Sequence, residues 1–215
     1  RFILDHTFFA QLFYSLDSFE DNTQPTLWVD GVRMAVNTEF FKELPVELQI
    51  SALAHETLHC AMHHPSRGEG RRQANPHKWQ IACDQEVNTL LVENRFEIGA
   101  QWVQPEAKYA GLPAETIFDM MPDQPKGSGG GGGNGKGQIF EDLREMQGTE
   151  GEKQEARDRM DARIVAAARA VDKAMGTLPA FARVLLDKIT NPPTPWHEVM
   201  RQFLSTIKFD DYHWD

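Results

Sequence analysis

Cysteine is scarce in this 215-residue chain, with Cys60 and Cys83 the only two. A pair cannot build a disulfide framework, which excludes the small stapled folds and points to a reduced, intracellular setting. Both are expected to be small buried core residues. Long apolar runs are also missing. No stretch approaches the roughly 18 residues of a membrane span, and the opening RFILDHTFFAQLFYSL is too mixed in charge for a secretory signal. The chain does not open on methionine, so the missing signal carries little weight. Positive charge is in deficit, 22 Lys and Arg against 32 Asp and Glu, for a net charge of −10. A chain of that sign is a poor match for a phosphate backbone. The expectation is therefore a cytoplasmic protein with neither nucleic acid nor membrane as partner. An acidic balance says little about an enzyme's substrate, because a divalent cation can neutralise an acidic site. No repeat of fixed period is present.

What is there suits one domain with appendages, 40% hydrophobic and 10% aromatic. Apolar residues from Phe2 to about Glu20 recur at helical spacing. Asp30-Gly31, flanked by Leu27, Trp28, Val29 and by Val32, Met34, Val36, predicts a β-hairpin. Pro45 opens a helix running to about His63, which Pro65 stops. A basic, polar loop covers residues 66–78, and a second buried helix is expected over Trp79–Asn94. Beyond a short helix at Pro113–Phe118 comes KGSGGGGGNGKG, residues 126–137, where glycine's entropy opposes a fixed backbone. Further helices are expected over Gln154–Met175, Pro179–Ile189 and Trp196–Ile207. The fold class is α+β, mostly helical, with one small β element beside the central helix. The expected organisation is a core over residues 1–125, a flexible glycine-rich loop at 126–137, and a helical part at 138–215 packing on the core.

The stretch AHETLHCAMHH, residues 54–64, carries the chemistry. His55 and His59 stand four apart, so on a helix they project from one face and can share a metal ion. Glu56, at the edge of the same face, can take a proton from a water acidified by the metal and pass it to a leaving amine. Two histidines do not fill a zinc site, so a third ligand is needed. His63 lies roughly 12 Å along the helix from His55, out of reach. Asp84, on an apolar stretch of the next helix, ranks first because a buried carboxylate needs a partner. His64, which a turn could bring back, ranks second and Glu86 third. Asn88, one turn after Asp84, could hydrogen-bond a ligand. His6, His77, His197 and His213 have no telling spacing and are expected at the surface. Tyr212 is an oxyanion stabiliser only if the tail folds over the cleft.

FFAQL, PTLWVDG, AVNTEFF, LAHETLHCAMHHPSR, WQIACDQEVNTLL, WHEVMRQFL and the terminal DDYHW together resemble a family. It is the predicted metallopeptidase domain that precedes von Willebrand factor A-like domains in bacterial proteins linked to MoxR-type ATPases. The block from Leu53 to Leu91 is the most specific part of the likeness. The resemblance implies a zincin-like fold with an edge strand beside the active-site helix, and Zn2+ on His55 and His59. It further implies catalysis by Glu56, a role for Asp84, and the von Willebrand-type domain and ATPase as partners. The leading expectation is a zinc metallopeptidase acting on a protein or peptide. The alternative is a zinc-binding interaction module without turnover, in which four protein ligands close the site. A metal-free helical scaffold comes third.

Overall fold

The computed structural model describes residues 2–68, 70–122 and 142–191. The glycine-rich stretch at 126–137, the helix expected over Trp196–Ile207, and His197, Tyr212 and His213 lie outside the described residues. None of the described helices is long and apolar enough to cross a membrane.

The helix expected over residues 2–20 is three pieces. It breaks at His6, whose φ of −134° leaves the helical region, between α1 (Phe2–Asp5) and α2 (Thr7–Ser15). The chain turns extended at Leu16 and becomes β1 (Asp17–Glu20). All four β1 residues are exposed, so the strand carries none of the alternation by which a sequence announces one. The hairpin forms as expected. Strand β2 (Trp28–Val29) pairs antiparallel with β3 (Arg33–Val36) in the register Trp28–Ala35 and Val29–Met34, and β1 joins β3 in parallel. The Asp30 carboxylate ties the turn by accepting from the Val32 and Arg33 amides at 3.0 and 2.8 Å. Gly31 adopts φ +91°, and a Cβ there would collide with Met146.

Asn37 ends β3 and caps a short helix, α3 (Thr38–Glu43), through its side-chain oxygen. Helix α4 (Val46–Ala61) follows Pro45 and stops at Met62, slightly ahead of the expected end. His63 takes a left-handed φ of +58°, and a 3-10 turn at His64–Ser66 folds the chain back beside α4. The loop expected at 66–78 contains α5 (Arg71–Ala74) and the first turn of α6 (Pro76–Glu93). Asn75 caps α6, and Pro76 sits where its missing N–H costs nothing. Helix α7 (Ala114–Met120), α8 (Glu150–Met175) and α9 (Ala180–Thr190) complete the described chain. A reciprocal Thr149/Glu152 box starts α8, and Gly176 in the left-handed region ends it.

One apolar core joins Phe8, Phe9 and Leu12 of α2 with Leu58 of α4, Leu91 of α6, and Met160 and Ile164 of α8. A smaller cluster gathers Trp79, Cys83, Tyr109 and Ile117. Both cysteines are buried and free. The result is a mostly helical α+β fold with a three-stranded mixed sheet in the order β1-β3-β2. Helices α4 and α6 pack directly together. Their facing sides are polar yet buried: His55, Glu56 and His59 on one, Gln80, Asp84 and Asn88 on the other. So many buried polar groups in one seam require partners, and the partners define the site.

Candidate metal centre

His55 and His59 project from the same side of α4, and their Nε2 atoms approach to 2.9 Å. The Asp84 Oδ1 atom lies 3.4 Å from His59 Nε2 and 3.8 Å from His55 Nε2. A residue the sequence reading did not single out joins them: Asp142 Oδ2 is 3.7 Å from His55 Nε2. One donor atom from each of His55, His59, Asp84 and Asp142 falls within 4.8 Å of all the others. Gln80 braces the acidic pair. Its Nε2 donates to Asp84 Oδ1 at 2.9 Å and also to Asp142 Oδ1, while its Oε1 accepts from the Leu143 amide at 3.3 Å.

Hydrogen-bond partners fix the state of each ring. Asn88 donates through Nδ2 to the Val103 carbonyl at 2.7 Å, which turns its Oδ1 toward His55 Nδ1 at 2.8 Å. His55 therefore carries its proton on Nδ1, and Nε2 is bare. On the other side, the Glu86 carboxylate accepts from His64 Nε2 at 3.1 Å and from the Ala114 amide at 2.7 Å. His64 Nδ1 then accepts from His59 Nδ1 at 2.9 Å, leaving His59 Nε2 bare as well. Burial, opposed in part by the neighbouring acids, pushes the pKa of His55 down to about 4 and that of His59 to about 3. Both rings are thus neutral at pH 7, the form that binds metal. Two bare nitrogen lone pairs 2.9 Å apart repel each other unless a cation lies between them.

The neighbouring carboxylates are also held in an environment that disfavours their charge. Burial raises Asp84 to about 6, against the pull of His55 and Gln80. Asp142 is pushed up by burial and then by Asp84, and Glu56 by burial, then Asp142, then Asp84. Glu56 is only 4% exposed, and its Oε2 has no hydrogen-bond partner. Two neutral imidazoles and a crowd of buried acids form a donor set that fits a divalent ion.

A family profile described as "putative metallopeptidase domain" matches residues 1–215. The chain belongs to this metallopeptidase-domain family. No curated protein and no solved structure matches it. The group formed by His55, His59, Asp84 and Asp142 could hold the metal ion that the description of this family implies.

Every residue the sequence ranked is in the seam, but in different places. Asp84 stands with His55 and His59. His64 and Glu86, the second and third choices for the third ligand, stand behind His59 and hydrogen-bond through it. His63 points elsewhere, to Asp161 at 2.8 Å. His6 is half-buried, stacked on Phe96 at 3.9 Å rather than at the surface, and His77 is also half-buried. Asp142 was missed because nothing marks it among 32 acidic residues. Only the backbone delivers it: Val29 donates to the Asp142 carbonyl at 2.8 Å and accepts from Arg144 at 2.9 Å. This parallel bridge between Val29 and Leu143 occupies the outer edge of β2. The outer edge of β2 is therefore taken, at Val29, by the chain itself.

The chain of bonds Glu86–His64–His59 has a measurable consequence. If His59 is a metal ligand, His64→Leu should weaken metal binding about 10- to 100-fold, the usual effect of losing a partner behind a ligand, while Glu86→Gln, which keeps an acceptor for His64, should weaken it less. Competition with a chromogenic chelator reads both constants. Equal affinity in wild type and His64→Leu would show that His59 needs no support from behind.

Proposed function

We propose that this protein is a zinc hydrolase of peptide bonds in protein or peptide substrates, with His55, His59 and Asp84 holding the metal and Glu56 as general base. The observation that carries the reading is the lone Glu56 Oε2, buried without a partner. Glu56 lines the same cavity as His55, Asp84 and Asp142. A group serving only the fold would have a hydrogen-bond donor there. When bound, zinc would polarise a peptide carbonyl and make water acidic enough to attack near neutral pH. Glu56 takes a proton from the attacking water as its oxygen bonds to the carbonyl carbon. It delivers that proton to the amide nitrogen as the C–N bond breaks, releasing an amine and an acid. His64, Glu86 and Asn88 hold the two rings in the tautomer that points Nε2 inward.

A second reading is favoured by one feature, the presence of four donors rather than three. Were Asp142 a permanent fourth ligand, the site would be closed and structural, and the protein an interaction module. The von Willebrand factor A-like domain and the MoxR-type ATPase are the proposed partners in either case, on the sequence resemblance alone, and the cytoplasm the proposed location. The contacts of α8 with α2 and α4 support taking α8 and the described residues before it as one unit.

Asp142→Ala separates the two readings. In the catalytic reading the variant keeps one zinc per chain and still cleaves a fluorescein-labelled unfolded protein. Loss of zinc from the variant, together with a wild type that cleaves nothing, would establish the closed site.

A further inference from the structure

Beside the metal donors lies a cavity with about 520 Å³ of empty space, counting its open mouth. One side presents His55, Glu56, Asp84 and Asp142. The rest is largely apolar: Leu27 from the approach to β2, Phe40 of α3, Ala52 of α4, and Trp102 and Val103 from the loop after α6.

Three features make this a built pocket rather than a gap. Ala52 lies one helical turn before Glu56, so its small side chain leaves room directly beside the general base. Trp102 is held near His55, with ring centroids 5.9 Å apart, and its amide donates to Gly99 O at 2.9 Å. A Cβ on Gly99 would strike the indole, so glycine is what allows it that position. Asn88, the residue that orients His55, also holds the Val103 carbonyl at 2.7 Å, and Gln85 holds the Gln104 carbonyl at 2.9 Å. The loop that carries Trp102 and Val103 is thus fixed to α6, the helix that carries Asp84.

We infer that this cavity is the specificity pocket for the side chain next to the scissile bond, that it selects a large apolar residue such as leucine or phenylalanine, and that Ala52 sets its depth. The inference rests on the hydrolase reading above. A methylene placed in such a pocket is worth about 1–3 kcal/mol, or 10- to 200-fold.

The test uses zinc-loaded full chain and three hydroxamates that differ only in the tail: acetohydroxamate, 4-methylpentanoyl hydroxamate and 3-phenylpropanoyl hydroxamate. Calorimetry reads their affinities. Wild type should bind the two long-tailed probes at least about tenfold more tightly than acetohydroxamate. Ala52→Leu should bring that ratio toward one by filling the pocket, and Trp102→Ala, at a half-buried loop position outside the apolar core, should reduce it by removing a wall. Equal binding of all three probes to wild type overturns the inference, as does a ratio that neither variant changes. Zinc-loaded protein that binds none of the probes overturns it too, because the cavity would not reach the metal. A chain that takes up no zinc is a different failure: it removes the hydrolase reading, and this inference with it, before any probe is added.

Discussion

Glu56→Gln is expected to reduce kcat by about 10²- to 10⁴-fold, the usual contribution of a positioned acid–base group, with zinc content unchanged. The same substitution should make the metal-free protein more stable. Glu56 is buried, one of its oxygens is unpartnered, and its nearest charges, Asp142 and Asp84, are negative. Its pKa is therefore higher folded than unfolded. For a carboxyl raised in this way, the folded state is favoured by the bound proton below the unfolded value of 4.5, and that advantage is lost as pH rises through the folded pKa. Glutamine is neutral throughout, so the gap in Tm between variant and wild type should widen from pH 4.5 upward. Loss of turnover together with a rise in stability on its removal is the signature of a residue kept for chemistry. A variant that cleaves at the wild-type rate would transfer the base's role elsewhere, with Asp142 the first candidate.

His59→Ala should abolish zinc binding. His59 is fully buried, offers Nε2 to the site and contacts His64 through Nδ1. Removing it takes away a ligand and leaves His64 Nδ1 unpaired, at a cost of about 1–3 kcal/mol to the fold. The readout is scanning calorimetry with and without zinc. At a hundredfold excess over Kd, zinc should stabilise wild type by about 2.7 kcal/mol and the variant not at all. A variant whose Tm still rises with zinc as wild type's does would mean the metal sits elsewhere.

Much of the centre was legible from residue spacing because a helix converts spacing into direction. His55 and His59, four apart, could only share a face, and Asp84 on an apolar stretch had to find a partner. The hairpin was equally plain, since Asp30-Gly31 is a local signal that needs nothing from the rest of the chain. What sequence could not show is what distant segments bring. Asp142 reaches the site through main-chain bonds to Val29, and main-chain bonds leave no trace in residue type. Gln80 looks like any helix amide until Asp142 arrives beside it. His64 and Glu86 were suspected as ligands because their chemistry allows it. The left-handed turn at His63 instead sets His64 behind His59, and no spacing rule foretells a turn by a non-glycine residue. Strand β1 stayed hidden because its side chains all face solvent, so its only signal is pairing with β3.

The central claim is that the seam between α4 and α6 holds zinc. Elemental mass spectrometry of the freshly purified full chain tests it most directly. The expected result is one zinc per chain, retained through dialysis against buffer without chelator. No zinc in that preparation, and none bound after it is added back and excess removed, would contradict the account.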